Sequence, residues 1–333
     1  MMKLRKGGET MFTKEIKRFG EICCKTQLEV KRYLYSVLVS NGYKPVSEDG
    51  FIYAKGELPF LVTAHMDTVH KNQCKRYSIH RFKGKHRIQS KDGIGGDDRC
   101  GIWMIVRMVL DGYRPSILFC EDEEIGSIGA RKFCRTQYVY DLMDLNYLIE
   151  LDRANENDAV FYECDNPEFT KYITEKTGYE EAIGSFSDIV ELSETCRIAS
   201  VNFSCGYYKP HTTQEYVIFE EMDNTLKVVE SLLRDKECKQ YEFIEKQYNY
   251  YKGMFDDGWY GYGYGTSSYT SNNMSIEGLE IMYGNYIKDE NGEIIYTEEY
   301  DFAFGETINE CLGEFFIRHP QICYDDILDY TPC

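Results

Sequence analysis

Five short polar segments of the chain carry residue types that could hold a metal ion. Each segment ends an apolar run or interrupts one, and the segments are His65-Met66-Asp67, Gly95-Gly96-Asp97-Asp98, Glu123-Glu124, Asp152 and Pro210-His211. Carboxylates and imidazoles are ligands that zinc accepts, and an open position on the metal leaves room for an activated water molecule. This combination of residue types could therefore support metal-assisted hydrolysis.

Two of these segments contain a second group that such chemistry needs. A group that holds zinc cannot also carry the proton of the attacking water, and the adjacent Glu123 and Glu124 offer one carboxylate for each task. Asp67 lies two residues beyond His65 in an extended segment, so it points to the same side and can accept the second N–H of the imidazole. Taken singly, these residues also have ordinary explanations, such as a solvated glutamate pair or a helix cap at Asp97.

The elements that must position these residues alternate between strands and helices. Apolar runs bounded by turn residues predict strands at 50–54, 59–64, 116–120 and 145–151, with one or two more in 76–90. Helical spacing of apolar residues predicts helices at 13–41 and 217–233, and an apolar run after a polar, glycine-rich loop predicts a buried helix at 101–110. The alternation predicts an α/β fold with a mixed, largely parallel sheet between helices, in which sites gather at the carboxyl ends of strands.

The composition changes near residue 240 to tyrosine, glycine and acidic residues. Residues 248–265 indicate a linker, Asp289-Glu290-Asn291-Gly292 indicates a hairpin between two Tyr/Ile-rich runs, and residues 308–316 indicate a short helix. We therefore expect a catalytic domain over residues 1–240. Residues 241–333 are expected to form a Tyr/Gly-rich linker and a small α+β accessory region.

Bulk properties exclude several classes of protein. A net charge of −18 argues against sequence-independent nucleic-acid binding, which depends on Lys and Arg. No apolar run approaches the roughly 18 residues of a membrane span, and the basic N-terminus lacks the apolar segment of a secretory signal. The thirteen cysteines show no spacing of a four-cysteine zinc site. We expect a cytoplasmic protein without nucleic-acid or membrane partners, translated from Met1 or Met11.

The order of the motifs resembles that of the co-catalytic zinc exopeptidases of peptidase clan MH. The segments that carry the resemblance lie between about residues 51 and 233 and are LVTAHMDTV, DGIGGDDRCGI, LFCEDEEIGSIGA, LIELDR and VNFSCGYYKPHTTQEYV. HMDTV and EDEEIGSIGA are most similar to the peptidase T and carboxypeptidase branch. DDR followed by a small residue and Gly is also similar to the glutamyl and tetrahedral aminopeptidases.

Carried over by position, the resemblance implies a site for two zinc ions, with cobalt or manganese as alternatives. Asp97 would bridge the two ions. His65 and Asp152 would complete one metal site, and Glu124 and His211 would complete the other.

The resemblance also implies roles outside the metal ligands. Glu123 would be the general base, Asp67 would be the outer partner of His65, and a cis peptide would join Asp97 to Asp98. The segment GSFSD, which ends at Asp188, resembles a turn beside the site in relatives, so Asp188 is a candidate for substrate binding. The segment Gly206-Tyr207-Tyr208 is expected to shape the wall of the pocket, and Tyr208 is a second candidate for substrate binding.

The chain departs from the peptidase T and carboxypeptidase relatives in the interval between the fourth and fifth ligands. Those relatives insert a lid or dimerisation domain there, whereas 58 residues (153–210) separate Asp152 from His211 here. That interval suits the compact plan of the aminopeptidase branch.

The reaction expected is cleavage of a terminal peptide bond of short peptides, by an aminopeptidase, because many carboxylates favour a free amino terminus. A carboxypeptidase or an N-acyl amino acid amidohydrolase is an alternative, and it would use Arg99 or Arg153 for the substrate carboxylate. A catalytically silent binding module is another alternative. In an active enzyme or in a binding module, the Tyr-rich C-terminal region could contact a protein partner. In an active enzyme it could instead cover the pocket as a lid.

Overall fold

The computed structural model describes residues 11–70, 74–184 and 186–246, and the backbone of four short strands between 274 and 296. By its contacts the chain divides into two compact units, Met1–Asn249 and Tyr250–Cys333. The described helices of the first unit are α1 (Met11–Cys23), α2 (Gln27–Ser40), α3 (Gly96–Leu110), α4 (Ile128–Cys134), α5 (Pro167–Thr177), α6 (Asp188–Cys196) and α7 (Phe219–Leu233), with a 3₁₀ turn at Gln137–Leu142. Its described strands are β1 (Val46–Glu48), β2 (Phe51–Ala54), β3 (Leu58–His65), β4 (Ser78–Phe82), β5 (Lys85–Gln89), β6 (Pro115–Cys120), β7 (Tyr147–Arg153), β8 (Asp158–Val160), β9 (Glu180–Ala182), β10 (Ser200–Ser204), β11 (Tyr207–Tyr208) and β12 (Tyr216–Ile218).

Eight strands form a mixed sheet in the order β1-β2-β6-β3-β7-β10-β8-β9. The four central strands β6, β3, β7 and β10 are parallel, and β8 is parallel to the edge strand β9. The antiparallel pairs are β1 with β2, β2 with β6, and β8 with β10. A second, antiparallel sheet has the order β11-β12-β5-β4. The predicted α/β class with a mixed, largely parallel sheet is confirmed.

Helices cover both faces of the main sheet, because neighbouring residues of a strand point to opposite faces. Val62 and Ile149 belong to the apolar cluster that includes residues of α1, α2, α3, α5 and α7. Their neighbours Leu61 and Leu148 belong to the cluster on the other face, with residues of α4 and α6. Burial of each such side chain contributes about 1.5–3 kcal/mol. The strand ends that carry the polar segments are thus fixed by packing from both sides.

The single helix predicted over residues 13–41 is wrong, since the structure has two helices with a break after Cys23. Thr26 caps α2: its hydroxyl accepts from the Glu29 backbone N–H at 3.2 Å, and its own N–H donates to the Glu29 carboxylate at 2.9 Å. This reciprocal capping box begins a new helix. The Thr-x-x-Glu spacing was visible in the sequence but lay inside a continuous apolar pattern.

The interval between Asp152 and His211 builds part of the main sheet. It contains β8, α5, β9, α6, β10 and β11, and the structure describes all of it except residue 185. Residues 241–246 pack on the rest of the first unit: Tyr241 and Phe243 are buried, and the Ala199 N–H donates to the Tyr241 carbonyl at 2.9 Å. The functional division at residue 240 stays a prediction.

The second unit contains the described strands β13 (Met274–Ile276), β14 (Leu279–Met282), β15 (Tyr286–Asp289) and β16 (Ile294–Tyr296). They form an antiparallel sheet in chain order, and the pairing of β15 with β16 confirms the predicted hairpin. The predicted linker at 248–265 and the predicted helix at 308–316 lie outside the described residues. Among the helices that the structure describes, none has the length and hydropathy needed to span a membrane.

Candidate metal centre

The polar segments meet at the carboxyl edge of the central parallel strands. His65 is the last residue of β3, Asp152 lies near the end of β7, and the Glu123-Glu124 pair follows β6. Asp97 lies in the first turn of α3, where its backbone is not helical, and His211 lies between β11 and β12. The structure therefore brings together the side chains that the sequence placed in five separate segments.

Asp97 lies at the centre of this cluster, with one carboxylate oxygen toward each histidine. Its Oδ1 is 3.0 Å from His65 Nε2, and its Oδ2 is 3.3 Å from His211 Nε2. Each histidine also meets a second carboxylate: Asp152 Oδ1 lies 3.5 Å from His65 Nε2, and Glu124 Oε2 lies 3.1 Å from His211 Nε2. The five side chains thus form two His–carboxylate groups that share Asp97.

Asp67 joins His65 to the segment that carries the two glutamates. Its Oδ1 lies 3.2 Å from His65 Nδ1 and accepts the Glu123 backbone N–H at 3.1 Å, while its Oδ2 accepts the Glu124 N–H at 3.1 Å. These contacts with two backbone donors and an imidazole outweigh burial and lower the pKa of Asp67. The ionised carboxylate fixes the orientation of His65, as its spacing predicted.

Two carboxylates that were not predicted as site residues hold the backbone around Asp97. Asp98 is fully buried, and its Oδ2 accepts the His65 backbone N–H at 3.1 Å. Glu215 is also fully buried, and it accepts the N–H groups of Gly95 at 2.8 Å and Asp97 at 3.0 Å. The peptide bond between Asp97 and Asp98 is cis, as the resemblance implied.

Asp152 is held by neighbours from the other side of the cluster. Its backbone N–H donates to Asn202 Oδ1 at 2.9 Å, and its Oδ2 accepts from Ser187 Oγ at 3.3 Å. The Tyr207 hydroxyl donates to the Asp152 carbonyl at 3.2 Å, whereas the Tyr208 hydroxyl donates to the carboxylate of Glu221 at 2.7 Å. Tyr207 is therefore the tyrosine that contacts the cluster, and the substrate role of Tyr208 stays a prediction.

Asp188 is the first residue of α6 and is buried. Neither of its carboxylate oxygens has a hydrogen bond of good geometry among the described residues, and the same holds for Glu150 Oε2. The side chains of Ser127 and Cys120 nevertheless lie near enough to Asp188 to favour its ionised form. Burial raises the pKa of Asp188 to about 6. Its candidate role in substrate binding stays a prediction.

The cluster shifts the pKa values of its members strongly. Hydrogen bonds with Asp97 and then Glu124 raise the pKa of His211 to about 10. Burial opposes ionisation of Asp97, but its hydrogen bonds with the two histidines outweigh this effect and lower its pKa. Burial raises the pKa of Glu123 to about 9, and burial followed by the charge of Asp97 raises that of Asp152 to about 7. Carboxylates thus outnumber the cationic groups that could neutralise them.

The donor atoms are close enough to share a cation. One atom each of His65, Glu123 and Asp152 lies within 4.8 Å of the others, and the same is true of His65, Asp97 and Glu124. Glu124 Oε1 is in addition buried without a hydrogen-bond partner among the described residues. Oxygen and imidazole donors at this spacing fit a divalent ion such as zinc. The first group contains Glu123, so distance alone does not separate a ligand from a base.

Neither candidate arginine pairs with the carboxylates of the cluster. Arg99 is buried and donates to the backbone carbonyls of Met66 and, at 3.3 Å, Lys25. Arg153 pairs with Asp158 at 3.2 Å.

Comparison with known proteins identifies the fold. The sequence matches no protein-family model and no curated protein. The structure is similar to aminopeptidase PepT from Bacillus cereus, with 14% identity, a TM-score of 0.53 and coverage of 68% of this chain and 99% of that chain. A tripeptidase from Staphylococcus aureus gives 14% identity, a TM-score of 0.52 and coverage of 68% of this chain and 100% of that chain. An aminopeptidase from Desulfurococcus kamchatkensis gives 12% identity, a TM-score of 0.51 and coverage of 69% of this chain and 96% of that chain. The chain has the fold of these exopeptidases, which confirms the predicted resemblance at the level of the fold.

Proposed function

We propose that this protein is a metal-dependent aminopeptidase that removes the first residue of short peptides with the help of two zinc ions. The observation that carries the proposal is the position of Asp97, whose two oxygens face two different histidines, each with a further carboxylate. A shared carboxylate between two such groups is the donor arrangement that two neighbouring divalent ions need. We assign His65 and Asp152 to one ion, His211 and Glu124 to the other, and Asp97 to both.

The residues around the cluster have separate tasks in hydrolysis. Two bound divalent ions would polarise the scissile carbonyl and lower the pKa of the attacking water. Glu123 takes the proton from that water as its oxygen attacks the carbonyl carbon, and it passes the proton to the amine nitrogen as the C–N bond breaks. Asp67 orients His65 and positions Glu123 through the backbone N–H of that glutamate.

We assign the role of base to Glu123 because the neighbouring Glu124 already lies against His211, as a metal ligand of that group would. Glu124 Oε2 lies 3.1 Å from His211 Nε2, so this carboxylate belongs to the His211 group. The pKa of about 9 at Glu123 arises first from burial and then from charges that include Asp152 and Glu124. A divalent cation nearby favours the ionised carboxylate, so the bound metals would lower this pKa toward the range of a working base.

The charge of the surroundings supports recognition of a free amino terminus. Two acidic residues that are not assigned to a metal, Asp188 and Glu150, lie near the proposed base, and acidic groups favour a cationic amine. The two candidate carboxylate-binding arginines have other partners, Arg99 on backbone carbonyls and Arg153 on Asp158. A carboxypeptidase or an N-acyl amidohydrolase would need such a cation near the site.

A matched set of dipeptides tests the specificity. The substrates share one sequence and differ in their ends: an unblocked dipeptide, its amino-acetylated form and its carboxyl-terminal amide. We expect cleavage of the unblocked dipeptide and of the amide, and no cleavage of the acetylated form. Asp97→Asn should abolish cleavage, whereas Asp144→Asn, at an exposed turn position, should leave it unchanged. Preferential cleavage of the acetylated substrate would contradict the aminopeptidase proposal.

A further inference from the structure

A cavity of about 260 Å³ opens beside the break between α1 and α2 and is separate from the metal centre. None of the proposed metal ligands lines it, and neither does Glu123. Its described lining residues come from the end of α1 and the start of α2 with the break between them, from the chain after β3, from the glycine-containing loop before α3 and from α3 itself: Cys23, Lys25, Thr26, Gln27, Thr68, His70, Cys74, Gly93, Ile94, Gly95 and Arg99. One water molecule occupies about 30 Å³ in the liquid, so the cavity has room for a small ligand of several heavy atoms.

The lining of the cavity is basic in a strongly acidic protein. Among the described residues it contains Lys25, His70 and Arg99 but no Asp or Glu, although the chain has 56 acidic and 38 basic residues. His70 already meets Glu215 at 2.6 Å, so the positive charge rests on the lysine and the arginine. Lys25 is half-buried beside the exposed Thr26, so the cavity reaches solvent. Glu215 bonds to His70 and Gly95, and Asp122 lies 3.5 Å from Gln27, but neither acid lines the cavity itself. The described lining therefore favours a ligand of negative charge.

Arg99 supplies a buried cation that lacks a directly bonded acidic partner. It is 4% exposed, and its two terminal nitrogens donate to backbone carbonyls of Met66 and Lys25. Its Nε has no hydrogen-bond partner, and no carboxylate forms an ion pair with it within 4.0 Å, in the part of the chain that the structure describes. A buried charge is normally paired, because removal from water costs several kcal/mol. The charges of Asp98, Asp67 and Glu215 act on Arg99 from a greater distance, and an anion in the cavity would add a directly bonded partner.

The other polar groups of the lining include donors suited to oxygen atoms. Thr68 offers a hydroxyl. Gln27 offers an amide whose Nε2 lies 3.5 Å from Asp122 Oδ1, and Lys25 offers an ammonium group that lies 5.6 Å from the centroid of the Tyr33 ring. Gly93 has φ +86°, and a Cβ there would lie 2.2 Å from the His70 ring. Only glycine therefore lets this loop approach the ring and leave the space open.

We propose that this cavity binds a small oxyanion, either a phosphate or a carboxylate. The geometry that carries the proposal is a cavity whose described lining has no Asp or Glu and includes a buried arginine, with an Nε–H that bonds to no described residue, and a lysine at the opening. A bound anion would contact Thr68, which follows Asp67, and Gly95, which lies two residues before Asp97. The site thus lies beside the two loops that shape the metal centre, and its existence does not depend on the proposed reaction.

Calorimetric titration of the full chain with inorganic phosphate, and separately with acetate, tests the proposal. Ionic strength is held constant with sodium chloride. Lys25→Gln removes a cation from the lining, Gln27→Glu adds a carboxylate of nearly equal size, and Lys44→Gln is the control at an exposed lysine. We expect saturable binding of at least one anion to the wild type and the control. The Kd should rise about tenfold or more in both lining variants, because charged hydrogen bonds are the stronger ones.

The comparison of variants separates this site from binding at the metals. An anion bound to the proposed zinc ions would be held equally by all four proteins, so equal affinity in Lys25→Gln and Gln27→Glu would overturn the proposal. Absence of saturable binding by the wild type would overturn it as well. Phosphate binding without acetate binding would assign the site to phosphate, and the reverse result would assign it to a carboxylate.

Discussion

Asp97 sets the arrangement of the candidate centre because one of its carboxylate oxygens lies near His65 and the other lies near His211. His65 is buried and His211 is 56% exposed at its side chain, so the two proposed metal positions differ in access to solvent. Asp67 and Glu215 have a different role from Asp97, which faces the space between the two histidine–carboxylate groups. They hold the backbone and the imidazole that define the space, and loss of either would loosen the site.

At the residue scale, Glu123→Gln separates the base from the ligands. Gln keeps the size of the side chain but cannot accept the proton, so we expect turnover to fall by about 100- to 10,000-fold. Metal content should stay that of the wild type. Activity of the control Glu181→Gln, at an exposed position of β9, should be unchanged. Loss of a metal ion from Glu123→Gln would instead make Glu123 a ligand, and near-full activity would remove it from the mechanism.

The sequence indicated the residues that lie directly after apolar runs. His65, Asp152 and the Glu123-Glu124 pair belong to this class, and the structure brings them together. Glu215 was missed because its role depends on long-range contacts with Gly95 and Asp97, and nothing in its local sequence marks them. Local sequence patterns depend on residues that are close along the chain, so they do not predict contacts between segments that are distant in sequence.

The two tyrosines of β11 show the limit of residue-level prediction most clearly. Adjacent residues of a strand point to opposite sides. Tyr207 therefore contacts Asp152 while Tyr208 contacts Glu221 and stacks on Tyr216 at a centroid distance of 5.1 Å. Composition could place a tyrosine near the site, but only the register of β11 against β12 decides which one.

At the scale of elements, close packing of α3 on β7 fixes Asp97 relative to Asp152. A Cβ at Gly101 would lie 2.2 Å from the Leu151 carbonyl oxygen, so only glycine allows this approach. Gly101→Ala should lower the free energy of unfolding by about 1–3 kcal/mol, or prevent folding, through overpacking. Denaturant unfolding measures this change.

Gly112→Ala is the matched control for the helix. Gly112 follows α3 with φ +92°, and a methyl group at that position would meet nothing within 4 Å among the described residues. Its substitution should therefore cost only about 1 kcal/mol from backbone strain. An equal or smaller effect of Gly101→Ala would contradict the close contact between α3 and β7.

Element types were predicted better than element ends. The strands at 59–64, 116–120 and 145–151 are confirmed as β3, β6 and β7, because buried parallel strands are continuous apolar runs. The order of strands in the sheet and the existence of the second sheet β11-β12-β5-β4 could not be read from local patterns, since both depend on pairing between distant segments.

At the scale of the whole molecule, acidic groups with raised pKa values make the metal-free protein sensitive to pH. The folded state holds the pKa of Glu123 at about 9 and that of Asp152 at about 7, both above their ordinary values. Folded chains then bind more protons than unfolded chains between about pH 4 and 9, so stability falls as pH rises through this range. The raised pKa of His211 acts in the same direction between about pH 6.5 and 10.

Thermal unfolding in the presence of a chelator should therefore show a lower midpoint at about pH 8.5 than at about pH 6, by about 2–4 °C for each kcal/mol lost. Excess zinc should abolish or reverse this difference, because metal binding displaces protons and strengthens as pH rises. Glu123→Gln should reduce the difference in the chelated protein. The same loss of stability with and without zinc would show that the cluster is not a metal centre.

The central claim is that Asp97 joins two metal sites, and metal content tests it most directly. Elemental analysis of the full-length protein, purified and supplied with zinc, should give about two zinc ions per chain. Asp97→Asn should lose both ions, and removal of the ions by a chelator should stop hydrolysis of the unblocked dipeptide. A chain that takes up no zinc even in excess, or an Asp97→Asn variant that keeps both ions, would contradict the account.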